Sequence, residues 1–419
     1  MKRYFTFLWD CFRLSFVGDW RYHLWMTVLT VISLGGVYAY SQQLVHGLIT
    51  TGMTDQVSWG LYIANFTYLV GLAAAAAMLV IPVYVYRNLH LHDVVIFGEL
   101  LAVSVIIMCL LFVTVDLGRP DRFLHLLLRF NFPMSMLTWD VIALNGYLLL
   151  NLHICGYLIY CAYCGRKPSK AFYIPFVFVA IAWAISIHTV TAFLYVGLGG
   201  RPFWNSAIIA PRFLASAFAA GPAFIILTLQ IVRRFTRHRV NDEALFTLRR
   251  IVQVAMIINL FLLMCELFTE FYADTAHGAS AHYLFLGLHG KSALVPWIWT
   301  AIAMNVLATA LFMLPASRAL PTLNAACVMA IVGIWIEKGM GLIVPAFVPT
   351  PLGEMVEYLP TLHETMICFG IWAFGLLVYT ILVRVSVPVL AGEVTFARRW
   401  GQAAPGAHDS APSTALKTT

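Results

Sequence analysis

Charged residues are scarce in this 419-residue chain, because Asp, Glu, Lys and Arg together make up only 11% of it. A soluble globular domain carries about 25% charged residues. Hydrophobic residues reach 61%, and the mean hydropathy is +0.84. This composition excludes an ordinary soluble domain and predicts a polytopic membrane protein.

The cysteine patterns of bound redox centres are also missing. Most of the eight cysteines lie inside apolar segments, where cysteine behaves as a small hydrophobe. Only Cys161 and Cys164 have CxxC spacing, whereas a [4Fe–4S] cluster takes four thiolates. A CxxCH haem-attachment motif is absent as well. We therefore expect no iron–sulfur cluster, haem or metal site in this chain.

A basic and aromatic array of the kind that binds nucleic acid is likewise absent, although the net charge is +7. Most of the 26 Lys and Arg residues instead fall in alternate soluble segments, beginning with the first. This asymmetry predicts that both termini are cytoplasmic and that the protein lies in the cytoplasmic (inner) membrane.

Ten apolar segments are present, each with roughly 20 residues or more, enough to cross a bilayer as a helix. They are 24–46, 58–86, 94–115, 137–163, 172–196, 210–233, 250–270, 293–314, 322–344 and 365–387. The second and sixth are both rich in small residues, which allow close helix contacts in lipid. We predict an all-α membrane protein with two related four-helix bundles and an additional helix pair.

Three regions are predicted from this pattern. Residues 1–22 mix aromatic and basic side chains, as an amphipathic segment at the membrane interface does. Residues 23–388 form the transmembrane helical domain. Residues 389–419 are polar and rich in Pro, Ala, Ser and Thr, which predicts a disordered cytoplasmic tail.

Ionisable residues within the spans indicate where a site could lie, because each costs on the order of 3 kcal/mol to insert. Glu99 and His153 fall in the inner half of their spans. The remaining groups fall in the outer half, near the charged loop 116–129: Asp116, Asp140, His188, Glu266, Glu337, Lys338 and Glu364. Oxidation of a quinol releases two protons at the membrane edge, and buried carboxylates and histidines can accept protons. Tyr62, Asn65 and Asn145 could bond the quinone oxygens.

Simpler roles remain open for several of these residues. Asp116 could pair with Arg119 across the loop, and Asp121 with Arg122. His188 could bond Thr189 or Thr191 within the bundle. The indoles of three residues could be interfacial anchors, namely Trp59, Trp139 and Trp204.

Two blocks resemble a known family: VDLGRPDRFLHLL at 115–127 and SMLTWDVIALNGYLLLN at 135–151. They are similar to the NrfD/polysulfide reductase family, the membrane quinone-reactive subunits of iron–sulfur oxidoreductase complexes. The stretches VSWGLYIANFTYLVGLAAAAAMLVIPVYVY and WAISIHTVTAFLY further resemble the DsrP branch, from the DsrMKJOP complexes of dissimilatory sulfur metabolism. Smaller family members have eight helices, which would make the final pair here an addition.

The resemblance implies a protein that binds menaquinol or another quinone near the outer (periplasmic) face and is not catalytic alone. It implies electron exchange with a periplasmic [4Fe–4S] ferredoxin-like (DsrO-like) subunit and, through it, with a multihaem cytochrome c (DsrJ-like). A membrane cytochrome b and cytoplasmic iron–sulfur subunits (DsrM- and DsrK-like) would complete the assembly. The family itself implies no iron–sulfur cluster in this subunit.

The resemblance places the quinone site at the outer ends of the second to fifth spans. The candidate catalytic residues are His188 and Asp116. The candidate quinone-binding residues are Tyr62, Asn65, Arg119, Trp139, Asp140 and Asn145, and the candidate proton path comprises Glu99, His153, Glu266, Glu337 and Lys338.

A secondary transporter of a small anion is the alternative function. It would use the cationic side chains of Arg119, Arg201 and Lys338. Transporters often have broken spans at matching places in two halves, and Pro82 and Pro222 lie at similar places in the two small-residue-rich spans.

Overall fold

The computed structural model describes residues 2–86, 91, 94–129, 131–236, 240–272 and 278–399. Apart from one isolated bridge between Leu288 and Lys291, the regular elements of this part are helical. They are α1 (Lys2–Leu14), α2 (Trp20–His46), α3 (Leu61–Ala73), α4 (Ala75–Val80), α5 (Val95–Asp116), α6 (His125–Leu128), α7 (Met136–Tyr163), α8 (Lys170–Val196), α9 (Ile209–Phe235), α10 (Asp242–Tyr272), α11 (Ala279–Phe285), α12 (Val295–Met313), α13 (Leu320–Trp335), α14 (Gly341–Ile343), α15 (Leu362–Leu390) and α16 (Phe396–Arg399).

Nine stretches of the described residues are long and apolar enough to cross a membrane, and each matches an expected segment. They are α2, α5, α7, α8, α9, α10, α12, the run Leu320–Phe347 and α15. The second expected segment, 58–86, is instead divided. It consists of α3, α4 after a break at Ala74, and a π-helical turn at Ile81–Val85.

The two terminal regions are only partly described. Residues 2–14 of the predicted interfacial segment form α1, and its place at the membrane surface stays a prediction. The predicted disordered tail begins within α15 and includes α16. Its residues 400–419 lie outside the described part of the chain.

Polar side chains fix where several spans begin. Asp19 accepts a hydrogen bond from the backbone N–H of Tyr22 at the start of α2. Thr361 does the same for Glu364 at the start of α15. These caps satisfy N–H groups that have no partner within the helix, so the helices end at the membrane surface without unpaired donors.

The spans pack as two groups of four. In the first group, α3 lies against α5, α5 against α7 and α7 against α8. In the second, α9 lies against α10 and α13, while α12 lies against α13 and α10. The two groups meet where α9 contacts α3 and α8. We call them the first and second bundles.

The helix pair outside the bundles is α2 and α15, which pack along each other, with α15 also against α5. The expectation that the last two spans form the extra pair is therefore wrong, because α13 belongs to the second bundle. Close contact explains the pairing of α2 with α15. A Cβ on Gly36 would lie 2.6 Å from the Cα of Gly370, so both positions need glycine.

Candidate functional site

A cavity of about 300 Å³ opens where α2 ends and the loop after α5 begins. We call this end of the bundles, with loops 47–60, 117–135, 197–208 and 344–361, the site face. Apolar side chains and glycines form most of the cavity wall. The lining residues are Tyr40, Gln43, Leu44, Gly47, Leu48, Leu117, Gly118, Arg119, Pro120 and Asp121.

Gln43 connects this cavity to the first bundle. Its Nε2 donates to the carbonyl oxygen of Val115 over 2.6 Å, and its Oε1 accepts from the hydroxyl of Tyr62 over 2.7 Å. Tyr62 is fully buried, so it approaches the cavity through Gln43. Sequence reasoning picked Tyr62 and missed Gln43, which lies in an apolar span without a charge to mark it.

Asp116 is the last residue of α5 and precedes Leu117 of the cavity wall. Its Oδ1 is buried and has no hydrogen-bond partner among the described residues. A carboxylate oxygen is an acceptor, so an unpartnered one beside a cavity is available to a ligand.

Arg119 pairs with Asp121 and leaves Asp116 without it. Its Nε and Nη2 each lie 3.0 Å from the Asp121 carboxylate, and both side chains are exposed. The hydrogen bond and charge of Asp121 raise the pKa of Arg119, and the hydrogen bond from Arg119 lowers the pKa of Asp121. The structure therefore contains neither of the simpler pairings, Asp116 with Arg119 or Asp121 with Arg122.

Asn65 joins three helices. Its Oδ1 accepts from the indole N–H of Trp335 over 3.0 Å and of Trp372 over 2.8 Å. Its Nδ2 donates to the carbonyl oxygen of Leu61. The amide is thus occupied by α13 and α15, and it holds the first bundle against both.

A buried carboxylate from α15 caps α3. Glu364 accepts from the backbone N–H of Gly52 over 3.0 Å and of Leu61 over 3.1 Å. The hydroxyl of Tyr358 also donates to Glu364. Burial, followed by the charge of Glu364, raises the pKa of Tyr358. A carboxylate at a helix N-terminus is favourable, so Glu364 fixes the end of α3 that carries Tyr62.

Asp140 and His188 lie inside the first bundle and do not line the cavity. Asp140 accepts from the hydroxyl of Thr191 over 2.7 Å. The Nδ1 of His188 lies 3.0 Å from the carbonyl oxygen of Ala184, whereas its Nε2 has no hydrogen-bond partner in the described residues. Thr191 bonds Asp140, and Thr189 bonds the carbonyl oxygen of Ile185. Neither threonine therefore satisfies His188, contrary to the simpler role considered for it.

Trp139 and Asn145 lie away from the cavity. The indole of Trp139 donates to the carbonyl oxygen of Pro133 over 2.9 Å and is partly exposed, as an interfacial anchor would be. Asn145 donates to Val141 one turn back in its own helix. Trp204, by contrast, is fully buried and donates to the carbonyl oxygen of Leu342, so it is not a lipid-facing anchor.

The candidate proton-path residues divide into separate groups. Glu99 accepts from the thiol of Cys155 over 3.4 Å. His153 packs on the ring of Phe176 at 4.4 Å, and no hydrogen bond or ion pair joins it to Glu99. The others lie in the second bundle, where Arg212 contacts both Glu266 and Glu337. Arg212 was missed in the proton path because the sequence places it at a span end.

The three cations of the transporter alternative do not share a site. Arg119 pairs with Asp121, the guanidinium of Arg201 lies 4.3 Å from the ring of Phe347, and Lys338 lies over Phe213. Helix α9 runs through Pro222 without a break, and the break in the second span precedes Pro82. The matched broken spans that supported this alternative are therefore absent from these described segments.

A metal-binding cluster is not found in the described part of the sequence, where no three His, Cys, Asp or Glu residues converge on one point. The described site therefore offers proton acceptors and hydrogen-bond donors around an apolar cavity.

Comparison with known proteins decides the family. The profile described as "Polysulphide reductase, NrfD" matches residues 50–348. The chain belongs to this family. It is therefore a multi-pass membrane protein of the NrfD family with nine candidate spans in its described part.

Three relatives align over large parts of this NrfD-family protein. It is 26% identical over 309 residues to a dimethyl sulfoxide reductase membrane subunit, provisionally so named, of Halobacterium salinarum, and the match spans 68% of this chain and 69% of that protein. It is 23% identical in a 427-residue alignment to the third-lettered (C) subunit of the selenate reductase of Mesobacillus selenatarsenatis, with 92% and 98% covered. It is 23% identical over 266 residues to the Hdr-like menaquinol oxidoreductase integral membrane subunit of Archaeoglobus fulgidus, with 64% and 65% covered.

These names confirm the prediction of a membrane subunit of a multi-subunit oxidoreductase. They come from different complexes, so the DsrP branch stays a prediction. The profile match also excludes α2 and most of α15. Gln43, Glu364 and Trp372, which contact Tyr62, α3 and Asn65, therefore lie outside the matched residues.

Proposed function

We propose that this protein is the quinol-oxidising membrane subunit of a respiratory complex, and that menaquinol or a related quinol binds in the cavity at the site face. The observation that carries the proposal is the unpartnered carboxylate oxygen of Asp116 beside this largely apolar cavity. The volume of about 300 Å³ is at the lower end of the range for small-molecule sites. One relative is itself named a menaquinol oxidoreductase subunit.

The cavity wall suits both parts of a quinol. Leu44 lines the cavity and is also 55% exposed on α2, so an isoprenoid tail would leave along this helix into lipid. Gln43, held by Tyr62, orients a ring oxygen. Arg119 stands at the opening and would contact the ring or a docked subunit.

Proton and electron transfer follow from this placement. Oxidation of one quinol releases two electrons and two protons. Asp116 accepts a proton at the cavity, and His188 is the deeper acceptor, since its Nε2 has no partner among the described residues. The electrons pass to an iron–sulfur partner docked at the site face.

The finer assignments belong to the same proposal. The site face is periplasmic and both termini are cytoplasmic, as the distribution of Lys and Arg indicates. The divided segment 61–85 crosses the membrane as a tenth span. The sequence blocks favour the DsrP branch, with a ferredoxin-like [4Fe–4S] subunit, a multihaem cytochrome c, a membrane cytochrome b and cytoplasmic iron–sulfur subunits as partners.

Quinone binding tests the proposal directly. The purified full-length protein in detergent is titrated with a fluorescent quinol-site inhibitor, which is then displaced by a menaquinone analogue. We expect saturable binding, weakened about tenfold, or 1.4 kcal/mol, in Gln43→Leu. The control is Gln230→Met, which removes a hydrogen bond to Asn324 in the second bundle and should leave the affinity unchanged. Absence of saturable binding, or equal affinity in Gln43→Leu, would refute the cavity as the site.

A further inference from the structure

A buried charge network lies at the centre of the second bundle. Arg212 of α9 forms ion pairs with Glu266 of α10 and with Glu337, the latter over 2.9 Å. Glu337 lies in a π-helical turn, Ile336–Met340. It also accepts hydrogen bonds from two buried amides, Asn305 over 2.5 Å and Asn259 over 3.4 Å. Three helices and the π-helical turn therefore meet at one pair of carboxylates.

Lys338 is buried beside this network but not paired within it. Its Nζ lies 3.3 Å from the carbonyl oxygen of Phe213 and 4.2 Å from the ring of that residue. Among the described residues, no carboxylate lies within ion-pair distance of Lys338. An ammonium carries three donors, so this side chain keeps the capacity to pass on a proton.

Lys338 reaches the boundary between the two bundles. A Cβ placed on Gly71 of α3 would lie 2.9 Å from its Nζ, so the absence of a side chain there makes room for the ammonium group. His188 of α8 interacts with the backbone of Gly71 and with Lys338 from the first bundle. Two proton-carrying side chains from different bundles thus share the space beside one glycine.

Polar side chains continue from His188 toward the quinone cavity. Thr191, one turn from His188, bonds Asp140. Tyr195 bonds Thr67 and lies close enough to Asp116 and Asp140 to interact with both. These groups connect the cavity end of α5 to the level of His188.

Two water-sized spaces flank the Arg212–Glu337 pair. One, of about 10 Å³, is bordered by Glu337, Lys338 and Ser216. The other, of about 10 Å³, is bordered by Glu266 and Glu270 in the last two turns of α10. Each approaches the volume that one water molecule needs, and together they extend from Lys338 toward the site face.

A purely structural role explains only part of this arrangement. Buried Arg–Glu pairs can serve specificity of packing without any chemistry, and this would account for Arg212, Glu266 and Glu337. It does not account for a buried lysine without a carboxylate partner, placed against a histidine whose Nε2 has no partner among the described residues.

We propose that the second bundle is a proton-release route separate from the cavity, in which His188 passes a proton to Lys338 and the Arg212–Glu337–Glu266 network delivers it to the site face. This inference rests on the proposed quinol oxidation. Each quinol gives two electrons to the iron–sulfur partner and two protons to the protein. One proton leaves through Asp116 and the cavity, and the other leaves by way of Lys338, after which every group returns to its starting protonation.

A single-turnover measurement on the purified complex tests the route. The quinol-loaded complex is mixed with an oxidised artificial acceptor and a pH-indicator dye, and acceptor reduction and proton release are followed together. The wild type should release two protons in step with reduction. In Lys338→Met we expect one prompt proton and a second delayed about tenfold or more, as for loss of a positioned acid–base group.

A second variant and a control keep the result interpretable. Glu337→Gln retains the size of the side chain and should delay the same proton, so it decides the matter if Lys338→Met does not fold. Gln230→Met should behave as the wild type. Prompt release of both protons in the two network variants would overturn the route, as would an equal slowing of reduction and of both protons. Failure of the wild type to reduce the acceptor would instead refute the proposed function.

Discussion

Asp116 is the residue on which the proposed oxidation depends most, because no partner among the described residues occupies its Oδ1 beside the cavity. Asp116→Asn keeps the shape of the side chain and removes its capacity to accept a proton. Loss of a general base typically costs about 10²–10⁴-fold in rate, so we expect quinol oxidation to fall by about 10²-fold while the complex stays assembled. Steady-state reduction of an artificial acceptor, with gel filtration for assembly, measures both.

Asp121→Asn is the matched control for this change. Asp121 lies five residues further on, is exposed, and pairs with Arg119. Exposed pairs contribute little, and we expect near-normal turnover. Equal activity of the wild type and Asp116→Asn would remove Asp116 from the mechanism.

Asn65 gives a prediction about stability. Asn65→Leu leaves the buried indole N–H groups of Trp335 and Trp372 without their acceptor. Each unsatisfied buried donor costs about 1–3 kcal/mol, so the denaturation midpoint in detergent should fall clearly. Asn145→Leu is the comparison, because Asn145 makes the same bond to a carbonyl four residues back but no bond to another helix. Similar losses in the two variants would contradict the role assigned to Asn65.

At the scale of residues, the sequence indicated which groups are costly but not which ones meet. Hydropathy and span ends were enough to single out Asp116, Tyr62 and Arg119, and the structure places all three at or beside one cavity. Partner choice was not accessible, since the conformation of the loop after α5 decides that Arg119 meets Asp121. Gln43 was missed for a related reason, because an uncharged amide in an apolar span gives a weak signal.

The contact between α2 and α15 gives a prediction at the scale of helices. Gly36→Leu would place a side chain against the backbone of Gly370, whereas a Cβ added at Gly35 would have no atom within 4 Å. We expect Gly36→Leu to separate the helices and weaken quinone binding about tenfold, because α2 supplies Gln43 and α15 supplies Glu364. Gly35→Leu, facing away from the contact, should bind normally in the same inhibitor titration.

The outcome that would contradict this prediction is equal affinity in the Gly35 and Gly36 variants. Such a result would mean that α2 and α15 do not hold the cavity in shape.

Helix positions were largely predictable, whereas helix neighbours were not. Apolar length alone located the nine candidate spans of the described residues, because the bilayer sets the number of residues per crossing. It could not show that α13 joins the second bundle while α15 packs on α2. In lipid, small residues and polar contacts decide which helices meet, and these depend on faces that hydropathy does not resolve.

For the whole molecule, the orientation of the site face gives a further prediction. Leu352 is 87% exposed in a site-face loop, and Lys167 is exposed between α7 and α8 at the opposite end. A membrane-impermeant maleimide should label Leu352→Cys in intact cells and Lys167→Cys only after permeabilisation. The reverse pattern would invert the proposed topology.

Background labelling should be low in this experiment. Burial, followed by the charge of Asp10, raises the pKa of Cys11 to about 11. The thiolate is the reactive form, so little of it is present near neutral pH. The unmodified protein, treated in parallel, measures what remains from all eight native cysteines.

At this scale the sequence was most informative. Scarcity of charge was enough to predict a membrane protein, and the blocks at 115–127 and 135–151 were enough to predict the family that the profile confirms. The break at Ala74 was not foreseen, because the surrounding alanines read as continuous apolar helix.

The distribution of the site along the sequence also has a consequence for biosynthesis. Asn65 is bonded by side chains 270 and 307 residues later in the sequence, and Glu364 caps a helix that begins at Leu61. Because proteins emerge from the ribosome N-terminus first, the early spans must enter the membrane with these partners still unsynthesised. A nascent polypeptide interrupted before Leu362 would hold Tyr62 and Asp116 but could not complete the pocket, so quinone loading is confined to the finished polypeptide.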